Sequence, residues 1–272
     1  MGEYLYHYTN LESLAMILKS QSIKLNPLTV MDDSQECMTK DVMDFGKYIF
    51  ISSWIDEKRE SIAMWKMYSN LYNGVRIKLR YNPFVQYNIT KNDFESVFPQ
   101  VKIKGTDANF IISFDEFINS KYFLINYLHD QVVERVVYSD DKADIYPQIL
   151  NSTMNGTRIE YSILGKYKNT YWEFQNEVRY ILRFFPMGFE ELNTTNRKSG
   201  NLEQTIYNKL NSSEEFALKQ YFLKIDASAF SEMEITTSPC FSEGSSVLLK
   251  ALQEKYNPNM KINTSELQNY IR

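Results

Sequence analysis

A chain of 272 residues, 43% hydrophobic and 24% charged, is long enough to bury one substantial core, and its net charge of -4 argues against a broad basic surface for nucleic-acid backbones. Two cysteines and two histidines leave little from which to build a zinc site or a disulfide framework. The polar N-terminus and the lack of an apolar run of about 18 residues predict no membrane span and a reducing cytoplasm.

Twenty tyrosines and 17 phenylalanines against nine glycines favour a well-packed single body, residues 1–272, over flexible modules. Residues 3–8, EYLYHY, alternate and are aromatic, which predicts a short strand. In TNLESLAMILKSQ, Thr9 and Glu12 match a capping box, while Leu11, Leu14, Ala15 and Leu18 fall at helical spacing. His7 and Tyr8 therefore sit at a strand-to-helix junction, where backbone N–H groups face ligands, and His7 is read as part of a ligand pocket. Thr9 either shares that task or caps the helix.

Residues 22–28 read as a return strand, MDDSQE as a turn into a helix near 34–45, and KYIFISSW (47–54) as a second strand. ESIAMWKMYSNLY predicts a helix with Ile62, Trp65, Tyr68 and Tyr72 along one face; the hydroxyl of Tyr68 makes it a candidate pocket wall. NGVRIKLRY alternates as a half-exposed strand, with Arg76, Lys78 and Arg80 on its wet side. The spacing of Phe114, Phe117, Ile118, Ile125, Leu128, Val132 and Val136 predicts a long helix, and 146–168 a second helical region. Together they make a helical insertion at about 110–168.

TYWEFQNEVRYILRFFP (170–186) predicts a strong strand, on which Gln175, Glu177 and Arg179 project from one face. A long loop at 190–215, strands near 219–225 and 233–237, a helix near 244–255 and a strand at 260–263 close the chain. The fold class is α+β, with a mixed or antiparallel sheet core. The acids Asp32, Asp33 and Glu36 leave two readings open. They cap a helix, or with Glu177 they bind Mg²⁺ or Mn²⁺ for phosphodiester hydrolysis.

Three segments carry a resemblance: HYT before a helix, ISSW leading to MWKMYSNLYNGVRIKL, and WEFQNEVRYIL. With MDDSQE and the closing MEITTSPCFSEG…MKINTSEL, they resemble the bacterial domain-of-unknown-function family 2971 over nearly the whole chain. That pattern is in turn similar to the ADP-ribosyltransferase fold. Those enzymes carry an Arg or His on a first strand, a Ser or Tyr on a second, and a late Gln/Glu-x-Glu. Here His7, Ser52–Ser53 and Gln175-Asn176-Glu177 stand in that order.

The resemblance implies NAD as co-substrate, either cleaved or used for ADP-ribosyl transfer to a macromolecular acceptor. Glu177 would be the catalytic carboxylate, gripping a ribose hydroxyl and stabilising an oxocarbenium-like state. Gln175 would orient the acceptor, and Arg179 would bind a phosphate or orient Glu177. His7, with Tyr8 and Thr9 beside it, would contact the dinucleotide, and Ser52 or Ser53 would brace the site. A toxin or phage-defence role is the corresponding biology. A nucleotide-binding sensor without turnover would use the same pocket and depend less on Glu177.

Overall fold

In the computed structural model, residues 2–97, 107–153, 156–198, 202–212 and 214–271 are described. The first strand, β1 (Tyr4–Asn10), runs through Thr9. The cap of the following helix is therefore Asn10, whose side chain accepts the Ser13 N–H at 2.9 Å, and not Thr9. Helix α1 (Leu11–Ser20) buries Leu11, Leu14, Ile17 and Leu18 and ends at Gln21, whose φ of 49° turns the chain back into β2 (Ser22–Pro27).

Next come β3 (Ile49–Ile55), helix α2 (Ile62–Tyr68) capped by Ser61, and β4 (Gly74–Arg80). The sheet is completed by β5 (Glu177–Phe185), β6 (Tyr221–Lys224), β7 (Glu234–Thr237) and β8 (Lys261–Asn263). Helix α3 (Glu243–Tyr256) lies between the last two strands. Short strands Phe123–Leu124 and Val133–Arg135 pair with β5, giving ten strands in all. Pairing is antiparallel except between β7 and β8, so the architecture is α+β around a mixed sheet.

The feature that positions the site is a split in this sheet. Strand β5 pairs with one edge of β3 from Glu177↔Ile55 to Arg183↔Ile49. The other edge of β3 is shared: Ile55 pairs with Tyr6 of β1, while Ile51 and Phe50 pair with Asn26 and Pro27 of β2. Between those contacts Ser52, Ser53 and Trp54 pair with neither strand. Strand β1 stays with β4 and β2 stays with β6, so the two half-sheets diverge.

Strand alternation then sorts the side chains. Leu5, Trp54, Val178 and Tyr180 enter the main core on one face, and Tyr6, Tyr8 and Ile55 pack with Met64 and Trp65 on the other.

Several expected elements take other forms. The 34–45 stretch is not a helix: Asp33 accepts the Gln35 N–H, Thr39 and Val42 bond each other, and only Phe45–Tyr48 forms a 3₁₀ turn. The helix expected over 114–136 stops after Phe114–Asn119, where the Ser120 hydroxyl bonds the carbonyls of Glu116 and Tyr122. Around it Phe110, Phe117, Phe123 and Tyr127 form a cluster whose rings meet edge to face or tilted.

The rest of the supposed helical insertion is a four-residue helix, Lys142–Ile145, with short strands and 3₁₀ turns. Conversely, the loop expected at 190–215 holds helices Phe189–Lys198 and Leu202–Leu210, which set Leu192, Ile206 and Leu210 against Phe185 and Met187. The wet face of β4 is partly covered: Arg76 is buried, with its guanidinium 4.7 Å from the centre of the Tyr6 ring and Nη1 donating to the Lys58 carbonyl. No helix among the described residues is long and apolar enough to cross a membrane.

Candidate functional site

Where β1 and β2 part, a cavity of about 910 Å³ opens through the sheet. Its size falls in the range of small-molecule and cofactor sites. His7, Thr9, Ser52 and Trp54 line it on the side covered by α1; Tyr8, Ser53, Tyr68, Gln175, Glu177 and Arg179 line it on the other. A ligand touching both groups would pass between the half-sheets.

At the base lies a buried cluster of four charges. Glu177, only 3% exposed, takes Arg179 Nε on one oxygen at 2.7 Å and Arg179 Nη2 on the other at 3.0 Å. Lys168 Nζ donates to Gln175 Oε1 at 2.8 Å and to Glu177 at 3.3 Å, and stands 3.1 Å from Glu36 Oε1 as an ion pair. Arg179 Nη1 closes the ring on Glu36 Oε2 at 2.6 Å.

Burial acts to raise the Glu177 pKa. The Arg179 guanidinium outweighs it, with help from Lys168 and the Ser53 hydroxyl, and holds the carboxyl at about 2. Burial likewise acts against the Arg179 charge, and Glu177 and Glu36 more than restore it. Two carboxylates face two cations, so the formal charges of the cluster cancel.

Local backbone geometry sets these groups. Gln175 does not lie on the strand: Thr170–Gln175 is a 3₁₀ turn whose start is capped by Asn169, and Asn176 at φ 45° makes the break before β5 begins. Asn tolerates that left-handed conformation better than most residues. Glu177 and Arg179 do share a strand face, as alternation requires. Lys168 joins the turn to the strand and also stands 4.8 Å from the centre of the Trp172 ring.

Behind them Gly165, at φ 73°, offers its carbonyl to Arg179 Nη1 at 2.9 Å. Gln175 Nε2 donates to the Tyr68 hydroxyl, leaving that hydroxyl's own proton for another acceptor. Burial pushes the Tyr68 pKa up, and Asp32, Glu177 and Glu36 push it further, so the phenol stays protonated.

His7 sits on the far side of the split. Its Nδ1 lies 2.8 Å from the Ser53 carbonyl, which can only accept, so Nδ1 carries the proton and Nε2 keeps a lone pair. Burial lowers its pKa more than this bond raises it, so the ring is neutral at pH 7. The ring also lies 5.0 Å from Trp54, centre to centre. The two serines separate: Ser52 accepts the Trp54 indole N–H at 3.0 Å and faces away from Glu177, whereas Ser53, opposite Arg179, shares the Glu177 face and helps hold that carboxyl low.

The acidic trio does not form a metal centre. Asp33 is used in its turn, Asp32 is exposed at the cavity, and Glu36 does approach Glu177, but Lys168 and Arg179 fill the positions a cation would take. No group of three or more metal-ligating side chains is assembled among the described residues.

Sequence reasoning missed Lys168 altogether and read Glu36 as a helix cap or a metal ligand beside Glu177, not as the ion-pair partner of Lys168 and Arg179. An isolated Lys in a polar stretch carries no local signal, and only the pairing of distant segments reveals its role. Comparison with known protein families, with characterised proteins and with solved structures gives no match to this chain.

Proposed function

We propose that the cleft binds NAD or a closely related nucleotide and that the protein is an ADP-ribosyltransferase-like enzyme, allied to the unknown-function family its motifs resemble. The observation that carries this reading is convergence. His7, Tyr8, Thr9, Ser53, Tyr68, Gln175 and Glu177, drawn from three strands, a helix and a turn, line one cavity.

In this reading the bond between the nicotinamide nitrogen and ribose C1′ breaks with its electron pair going to nicotinamide. Positive charge develops on the ribose ring. The ionised Glu177 lies in a low-dielectric site where its field stabilises that charge. The neutral His7, through the Nε2 lone pair, accepts from a ribose hydroxyl. Water or a nucleophile of a macromolecular acceptor then attacks C1′ and releases its proton to solvent. The setting would be the cytoplasm, and a toxin or phage-defence role would follow from such chemistry.

A second reading has its own support. Both Glu177 oxygens are engaged by Arg179 and one also by Lys168, which suits a module that binds a nucleotide without turning it over.

One experiment separates them: incubate the protein with a cell lysate and NAD labelled in the ADP-ribose portion, with Glu177→Gln in parallel. Nicotinamide release or label transfer lost in the variant supports the transferase. Binding without either supports the sensor. No binding and no turnover would sink both.

A further inference from the structure

The charge balance of the cavity identifies where a phosphate would go. Glu36, Lys168, Glu177 and Arg179 neutralise one another, so none offers free positive charge to a ligand anion. Lys24 remains. It lines the same cavity, is exposed, and forms no ion pair among the described residues.

Its partner across the β2–β6 ladder is Phe222, which leaves 47% of its surface uncovered, also on the cavity wall. Directly opposed residues share a sheet face. The adjoining pair Asn26↔Ile51 extends that register to β3, placing Lys24 level with Ser53 across the split. Ser53 in turn pairs with Arg179. One row thus reads Phe222, Lys24, gap, Ser53, Arg179, with Glu177 one same-face step along β5. Two strand spacings, roughly 10 Å, separate β2 from β5 before the divergence is added. The ribosyl diphosphate part of a dinucleotide bridges such a span.

We infer that Lys24 and Phe222 form the nucleotide-end subsite of the cleft, Lys24 pairing with a ligand phosphate and the Phe222 ring stacking on a flat base. This rests on the nucleotide reading above and orients the ligand within it, with the reactive ribose at Glu177 and the base at β6. Both side chains are surface residues, so Lys24→Gln and Phe222→Leu leave the core intact; thermal unfolding at the wild-type temperature checks this.

The test is calorimetric titration of wild type and both variants with NAD, ADP-ribose, AMP and nicotinamide mononucleotide at two salt concentrations. Lys24→Gln is expected to weaken NAD and ADP-ribose about ten-fold and to flatten their salt dependence. Phe222→Leu is expected to weaken the adenine-bearing ligands about ten-fold, since one stacked base contributes about 1–3 kcal/mol, and to leave nicotinamide mononucleotide unchanged. Wild-type binding of NAD with both variants unaffected overturns the subsite and leaves the nucleotide reading standing. Variant-sensitive binding of AMP with no binding of NAD keeps the subsite and overturns the dinucleotide reading. Wild type binding none of the four overturns both.

Discussion

Glu177 illustrates how one buried carboxylate ties stability to acidity. Its folded pKa of about 2 lies below its ordinary 4.5, so its stabilising contribution is complete above 4.5 and is lost as pH falls from there toward 2. That contribution is on the order of 3 kcal/mol. Urea unfolding at pH 6 and pH 3 should show the loss in wild type and a smaller one in Glu177→Gln.

Lys168→Met leaves Glu36 and Glu177 facing a single cation, and removing one partner from a buried charge set costs about 3–5 kcal/mol. The same urea titration at pH 7 measures it. His7 gives the second pH signature. Burial lowers its pKa, so the neutral ring that accepts a ligand hydroxyl persists below pH 6.5 and is lost only as pH falls through its lowered folded value. Nucleotide affinity in wild type should hold as pH falls from 7.5 to 6.5 and decline only below that, while His7→Gln shows no such decline. Among these residues the sequence pointed to His7 by its place before a helix, to Tyr68 by its hydroxyl on an aromatic helix face, and to Glu177 by the motif that carries the family resemblance. Lys168 has none, and its meaning comes entirely from what folds around it.

At the scale of elements, the caps and turns decide where chemistry is pointed. Thr9 and Glu12 fitted a capping box by spacing, yet Asn10 and Ser13 fit the N-cap rule one residue later, and the strand's hydrogen bonds to β4 continue through Asn10. Asn10→Ala should therefore cost about 1 kcal/mol by thermal unfolding, with Thr9→Ala milder in stability.

Gly165 is the other fixed point. An added Cβ would stand 2.7 Å from Ile181 Cδ1 at a backbone angle that disfavours side chains, and would disturb the carbonyl that holds Arg179. Gly165→Ala is expected to destabilise the fold by a few kcal/mol and to lower ligand affinity along with it. Strands β1 and β4 were legible because their sequences alternate, and β3 because it is a short apolar run. The 114–136 stretch misled because apolar residues buried from short strands and turns happened to recur near helical intervals. The amphipathic signal of 189–210 is thin, and its polar composition resembles a loop.

For the whole molecule the divided sheet is the organising fact, and no local pattern encodes it. Which strands neighbour β3, and where they leave it, depends on pairings between distant parts of the chain. A ligand seated in the split would contact both half-sheets and bind the folded form only. NAD should then raise the unfolding temperature, and hydrogen exchange should slow at the backbone of Ser52–Trp54, which pairs with neither β1 nor β2.

The pairing of β3 with β5 has one more consequence, in the order of synthesis. IFISSWI leaves the ribosome early, with apolar residues on both faces, but the strand that covers its long edge arrives only when residues 177–185 have been made. Until then an edge of this apolar strand lacks its partner, and unpaired edges of that kind join other chains. Slow elongation through the middle of the gene should therefore favour aggregation, and a chain truncated before Glu177 should be found with chaperones or in inclusion bodies. The strand that frames the cleft is thus also one the nascent protein must protect until its partner is made.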